Sequence, residues 1–246
     1  MSLPLVVSWG GGVNSTAMLI GMMERGIRPN WILFADTGGE KPETYEFRTR
    51  LGSWLFKAGF PPIATVYNDG MYGQLETECL EKHTLPSIAF GFKSCSDKYK
   101  RRPQEKALRL YFPNGEQIRM AIGFDAGESR RATYTETQRY QYWFPLIEWG
   151  WDREKCIEAI GRAGLPVPVK SACFFCPSSK KAEVLALAKE HPDLFARATA
   201  MERNANLTTI KGLGRSYSWD QLVADKTLKA IEQPSLPCMC FDGEED

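Results

Sequence analysis

Histidine is nearly missing from this sequence. Only His83 and His191 occur in 246 residues, and neither adjoins a cysteine, so nucleophilic catalysis by a Cys/His pair finds no footing. Long apolar runs are missing too. None reaches the roughly 18 residues that cross a bilayer, and the opening MSLPLVVSWGGG carries neither the basic nor the apolar region of a signal peptide. A cytoplasmic protein with no membrane partner is the expectation. Net charge is only +1, so the field of the whole molecule gives no argument for nucleic acid. There is no internal repeat and no low-complexity linker.

What is present, 43% hydrophobic and 25% charged residues, is the composition of a soluble globular chain and excludes disordered and fibrous classes. The length favours one large α/β domain, alone or with a small appendage, over two full domains. Seven cysteines without an export signal point to thiols, metal ligands or cluster ligands rather than a disulfide framework. Charge is unevenly spread: Lys93, Lys98, Lys100, Arg101, Arg102, Lys106 and Arg109 crowd one stretch, while Asp242, Glu244, Glu245 and Asp246 close the chain. The basic stretch reads equally as a local anion site or as a solvated helix face.

Leu3 to Ser8 is a short apolar, β-branched run, followed by WGGGVNS and the apolar-rich TAMLIGMMER, closed by Gly26. This predicts strand, glycine turn and helix, with Gly26 at the helix end. Trp31 to Ala35 predicts a second strand, ending in Asp36-Thr37-Gly38-Gly39. Pro42 then suits a first helical turn, and Phe47, Leu51, Trp54, Leu55 and Ala58 recur at helical spacing before Gly59. Ile63 to Tyr67 and Ile118 to Phe124 are further strands. Between them, Gly70 to Pro113 is the least regular region, a candidate lid or small subdomain. Helices are predicted over Asp152 to Ala163, Lys180 to Lys189 and about Asp193 to Arg203. Strands alternating with helices make a parallel sheet covered by helices.

Gly10-Gly11-Gly12-Val13-Asn14-Ser15 lies where the main-chain N–H groups of a turn and a helix N-terminus converge, an arrangement suited to phosphate or pyrophosphate. Glycines let the backbone come close, and the Asn14 and Ser15 side chains can add donors. The plain alternative is a tight turn with an Asn or Ser cap, although three glycines exceed what a cap requires. The loop is not a Walker A, which ends Gly-Lys-Ser/Thr, and its glycine spacing is not the dinucleotide fingerprint, so simple kinase and dehydrogenase readings lose ground. Asp36, leaving the end of a parallel strand, suits ribose hydroxyls or magnesium, or else caps a turn. Arg130 and Arg131 follow another strand end, where guanidinium forks suit phosphate or sulfate oxygens. Glu128 is placed to orient one of them, and surface solvation is the alternative for both arginines.

The loop resembles the SGGxDS PP-loop of ATP pyrophosphatases, with Gly10 where the leading serine stands and Asn14 where the aspartate stands. FADTGGEKPETYEF, residues 34 to 47, is similar to the DTG and PET segment of phosphoadenosine phosphosulfate (PAPS) reductases. IGFDAGESRRA, residues 122 to 132, resembles their G-x-x-x-x-E-S-R segment, and WFPLIEWGWDREKCIEAIGRAGLPVP, residues 143 to 168, their PLxxW helix and Leu-Pro turn. Resemblance to the PAPS reductase family implies a doubly wound, Rossmann-like parallel sheet of the PP-loop (HUP) type over residues 1–178, with the ligand at the carboxyl ends of its strands. A helical, cysteine-bearing extension over 179–246 is expected to pack on it. The resemblance further implies an adenine nucleotide, ATP or PAPS with magnesium, on Ser8, Gly10, Gly11, Gly12, Asn14, Ser15, Asp36, Thr37, Gly38, Arg130 and Arg131. Asp36, Glu128 and Arg130 are the expected catalytic set.

Cys173-Phe174-Phe175-Cys176 is a CxxC turn able to place two thiolates on one metal, and the surroundings of a thioredoxin-type redox pair are missing. Cys95, in KSCSDKYKRRP, resembles the cysteine, lysine and proline pattern of iron–sulfur members of the family, and Cys238 and Cys240 form a CxC. Soft thiolates suit a cluster or zinc. The resemblance puts a 4Fe-4S cluster first and zinc second, on Cys95, Cys173 and Cys176 with Cys238, Cys240 or both. Cys79 and Cys156 read as buried thiols acting as small hydrophobes.

Three functions are compatible with these features. The leading one is an enzyme that uses ATP to adenylate a substrate or to handle sulfur on one, as relatives in nucleic-acid sulfur modification do, with nucleic acid or a sulfur carrier as partner and homo-oligomerisation left open. The second is a sulfonucleotide (PAPS/APS) reductase; those reductases end in Glu-Cys-Gly-Leu-His, whereas this chain has Pro237-Cys238-Met239-Cys240-Phe241. The third is a non-catalytic nucleotide-binding module, favoured by Asn14 but opposed by the combination of Asp36, Glu128, Arg130 and the cysteines.

Overall fold

A computed structural model describes residues 3–224; Cys238, Cys240 and the acidic chain end lie outside the described residues. Five strands, β1 (Leu5–Ser8), β2 (Trp31–Asp36), β3 (Ile63–Tyr67), β4 (Ile118–Ile122) and β5 (Tyr140–Trp143), form one sheet in the order β3-β2-β1-β4-β5. β1 runs parallel to β2, with Ser8 opposite Leu33, and to β4, with Ser8 opposite Ile122; β4 runs parallel to β5. This is the doubly wound α/β sheet that the alternation of strands and helices predicts. Strand order reverses at β1, so the crevice outside the carboxyl ends of β1 and β4 is the switch point where open parallel sheets receive ligands.

The helices are α1 (Val13–Glu24), α2 (Pro42–Lys57), α3 (Leu75–Glu81), α4 (Ser94–Ser96), α5 (Arg102–Tyr111), α6 (Pro145–Glu148), α7 (Arg153–Arg162), α8 (Lys181–Glu190), α9 (Pro192–Asn204) and α10 (Trp219–Ala224). None is long and apolar enough to cross a membrane. The chain divides into two compact units. The first runs to Asp36 and adds Lys41–Val66 and Pro103–Ser171; the second takes Thr37–Glu40, Tyr67–Arg102 and the described residues from Ala172 on.

The first unit is built on the sheet. Alternate strand residues point to opposite faces: Val7, Ile32, Phe34 and Ala121 join α1, α2 and α7 in one core, while Val6, Leu33, Ala35 and Met120 join Ala107 and Leu108 of α5 in another. Helices on both faces explain why β1 and β2 read as continuous apolar runs. β5 has no comparable run, because three of its four residues are only partly buried.

The second unit packs α3, α8, α9 and α10 around Leu75, Tyr99, Phe174, Phe175 and Trp219. Its buried Glu202 accepts the main-chain N–H groups of Leu213 (2.6 Å) and Trp219 (2.9 Å), tying the segment before α10 to α9. Burial lifts this carboxyl to about 6, against the opposing pull of the donated N–H groups. The expected boundary at residue 178 falls inside this unit. The irregular stretch after Gly70 proves to be α3, α4, a π-helical turn Asp97–Arg101 and α5.

Candidate functional site

β1 delivers the glycine loop to the switch point. Gly11 has φ +83°, the left-handed region, and a Cβ there would meet Ser171 Oγ at 2.9 Å and Thr44 Cγ2 at 3.1 Å, so both conformation and crowding require glycine. Gly10 and Gly12 differ: a Cβ at either meets nothing within 4 Å. Packing does not explain those two glycines. α1 begins at Gly12 with no side-chain cap and no acidic residue in its first turn, which leaves its N-terminal N–H groups available to an anion. Ser15 closes the loop on itself, its Oγ accepting Gly10 N–H (3.2 Å) and donating to Gly12 O (3.3 Å).

Thr44 stands beside Gly11 in the first turn of α2. It is 1% exposed, and its hydroxyl has no hydrogen-bond partner among the described residues. A buried hydroxyl left unpaired is costly.

The segment after β4 closes on α1 from the other side. A Cβ on Gly123 would come within 2.8 Å of Ser15 Cα and 2.9 Å of its nitrogen. Asp125 then caps the 3-10 turn Ala126–Arg131, accepting Gly127 N–H at 2.9 Å, while Glu128 reaches back to Asp125 N–H at 3.3 Å. Asn14 binds both carboxylates, its Nδ2 donating to Asp125 Oδ2 and Glu128 Oε2 at 2.9 Å each, and its Oδ1 accepts from Arg153 Nη1 at 3.0 Å. Both amide hydrogens are thus used within the protein. The sequence suggested Asn14 as a phosphate donor; in the structure it is a clasp between the glycine loop and the β4 segment.

Glu128 is ion-paired to Arg131, whose guanidinium also lies 4.4 Å from the Phe124 ring centre. Arg130 is exposed on the same turn. Asp36, at the end of β2, is buried and accepts Tyr45 Oη at 2.9 Å, and Ser8 is half-buried at the end of β1.

Thr37 and Gly38 group with the second unit. Thr37 Oγ1 lies 3.0 Å from Cys173 Sγ, and Gly38, at φ +75°, is crowded by Gln74. Cys173 bridges to Glu40, Phe174 N–H donates to Gly39 O (2.7 Å), and Cys176 N–H donates to Cys173 O (2.9 Å), which makes the CxxC a turn. Burial pushes the Cys173 thiol up to about 12, with the charge of Glu40 adding to it. Cys79 is also pushed up to about 12, by burial first and then by Glu78, Cys95 and Cys173. A residue whose sequence context suggested an inert hydrophobe therefore shares an electrostatic neighbourhood with two expected ligands.

Cys79 and Cys95 line one cavity of about 460 Å³, together with Glu78, Lys98 and Tyr99. Among the described residues, no three His, Cys, Asp or Glu side chains are arranged to hold a metal ion. The donors suit a soft metal, but the described thiols do not close a centre by themselves. Much of the basic stretch is neutralised locally: Lys98 pairs with Glu78, Lys100 with Glu40, and Arg101 and Arg102 with Asp97.

No protein-family model matches this chain, and no curated protein matches it. Among solved structures it is similar to the U34-tRNA thiolase NcsA from Methanococcus maripaludis with its 4Fe-4S cluster, at 15% identity and a TM-score of 0.46, over 88% of this chain and 77% of that one.

Four residues now belong to the candidate site that sequence reasoning did not assign: Thr44, Gly123, Asp125 and Arg153. All four lie inside segments that carry the family resemblance, and Thr44, Gly123 and Asp125 could have been singled out there. Arg153 gives no local signal, since its contact with Asn14 spans 139 positions.

Proposed function

We propose that the first unit binds an adenine nucleotide, ATP, with its phosphates on the glycine loop, and that the protein is an enzyme using it to adenylate a substrate or to handle sulfur on one. The observation that carries this reading is that Gly10 and Gly12, which packing does not require, leave open space before an uncapped helix N-terminus at the switch point. In adenylation a substrate oxygen forms a bond to the α-phosphorus as the bond to pyrophosphate breaks, and the loop N–H groups and Arg130 stabilise the departing charge. Asp36 is the residue for ribose hydroxyls or magnesium.

Cys95, Cys173 and Cys176 are the proposed ligands of a 4Fe-4S cluster, or of zinc, completed by Cys238 or Cys240. Such a cluster supplies soft iron for a sulfur ligand. Nucleic acid or a sulfur carrier is the proposed acceptor.

Calorimetry with ATP tests the nucleotide site. Gly10→Ala and Gly12→Ala each add a Cβ with nothing within 4 Å, at positions without positive φ, so each is expected to unfold like the parent while ATP affinity falls at least about tenfold. Parent-like affinity in both variants overturns the loop assignment. Binding without pyrophosphate release, across candidate acceptors, would favour the non-catalytic module. Anaerobic purification tests the thiols: iron and sulfide in cluster ratio, lost in Cys173→Ser, are expected, and a metal-free parent removes the cluster.

A further inference from the structure

We propose that Arg153 is a phosphate-binding residue of the glycine-loop site, held in place by Asn14. The inference rests on the nucleotide reading above and extends it to a residue that neither the loop motif nor the family resemblance singles out.

Arg153 opens α7, whose N-cap Asp152 accepts Lys155 N–H at 2.9 Å. Cys156, Ala159 and Ile160 of α7 pack into the same core as Ala17 and Ile20 of α1. That packing brings the first turn of α7 beside the first turn of α1, where Arg153 Nη1 donates to Asn14 Oδ1 at 3.0 Å. Asn14 is two residues past Gly12, beside which the loop is open.

Arg131, Arg162, Arg197 and Arg203 each pair with a carboxylate. Arg153 has no carboxylate at ion-pair distance among the described residues, and it is exposed. One of its five N–H groups is anchored on a neutral amide oxygen, and four remain in a planar fork suited to phosphate oxygens.

The identity of residue 14 gives this arrangement its chemistry. An aspartate there would pair with the guanidinium and would also face Asp125 and Glu128, which are bonded to the nitrogen side of the Asn14 amide. A neutral carboxamide holds Arg153 from one side and the two carboxylates from the other without compensating the arginine's charge. An anion seated on the first turn of α1 then lies within reach of a guanidinium whose position is already fixed.

The test is calorimetric titration of the full chain with ATP, AMP and adenosine, for the parent, Arg153→Ala, Arg153→Lys and Lys155→Ala. Lys155 lies on the same turn but donates to Gly150 O instead of Asn14, so its variant controls for loss of charge on α7. Arg153→Ala is expected to weaken ATP by roughly ten- to a hundredfold, the range for a lost charge-assisted hydrogen bond. A smaller loss for AMP and none for adenosine are expected, with Lys intermediate and Lys155→Ala close to the parent. ATP affinity within about twofold of the parent in Arg153→Ala, or an equal loss for adenosine, overturns the assignment. A parent that binds none of the three ligands removes the nucleotide reading itself, an outcome distinct from a parent that binds ATP and an Arg153→Ala variant that binds it equally well.

Discussion

Replacing the Asn14 carboxamide by a carboxylate exchanges one nitrogen for oxygen, yet at this position it reverses two interactions. Nδ2 sits 2.9 Å from Asp125 Oδ2 and from Glu128 Oε2, and an oxygen there loses both hydrogen bonds and adds like-charge repulsion. Asn14→Asp is therefore expected to lower stability by about 2–4 kcal/mol at pH 7, measured by urea denaturation. Repulsion from two carboxylates outweighs the single guanidinium of Arg153, so the loss should shrink as pH falls towards 4 and the acid becomes neutral. Adding Glu128→Gln should recover part of it, and strict additivity in the double variant would refute the clasp. The glycine loop was legible in the sequence as strand, turn and helix. The task of Asn14 was not, because its partners lie 111, 114 and 139 positions away and no local pattern records them.

Among the elements, the central strands were the most legible and the short peripheral ones the least. β1 and β2 are covered on both faces and so read as apolar runs, whereas β5 is four residues long and half-buried, and α3 to α5 are short segments in a polar stretch. Helix–strand contact supplies a sharp test at the end of β4. A Cβ on Gly123 meets main-chain atoms of Ser15 at 2.8 and 2.9 Å, and main chain cannot rotate aside as a side chain would. Gly123→Ala is expected to destabilise the protein by roughly 1–3 kcal/mol and to weaken the proposed ATP binding through displacement of α1. Gly10→Ala, with nothing within 4 Å, should unfold like the parent in the same denaturation series.

At the scale of the whole molecule, two carboxylates give the second unit opposite pH responses. Glu202 is raised from 4.5 to about 6, so the stability it contributes is fully present below pH 4.5 and is lost as pH rises through 6, by about 2 kcal/mol. Burial works against the ionised form of Glu78 as well, but hydrogen bonds from Lys82, Lys98 and Tyr99 outweigh it and hold that carboxyl at about 2. Its contribution is present above pH 4.5 and is lost as pH falls towards 2. Hydrogen exchange across residues 199–222, corrected for intrinsic rates, should show protection falling between pH 4.5 and 6.5 in the parent. In Glu202→Gln that slope should vanish, and a slope that persists would mean another group titrates. Overall α/β architecture was readable from the alternation of elements, whereas the partition of the chain was not, since the second unit is gathered from separate stretches with no linker to mark their borders.

That gathering dictates an order of events during synthesis. The first unit has all its residues once Ser171 has emerged from the ribosome, but Thr37–Glu40 belong with Cys173 and Phe174, and Glu202 needs Leu213 and Trp219. Thr37 and Glu40 therefore cannot meet Cys173 until more than a hundred further residues are translated. A nascent chain halted near residue 178 would still lack Val184, Leu187, Ala198, Met201 and Trp219, which complete the cluster around Leu75, Tyr99 and Phe174, the kind of intermediate that chaperones bind.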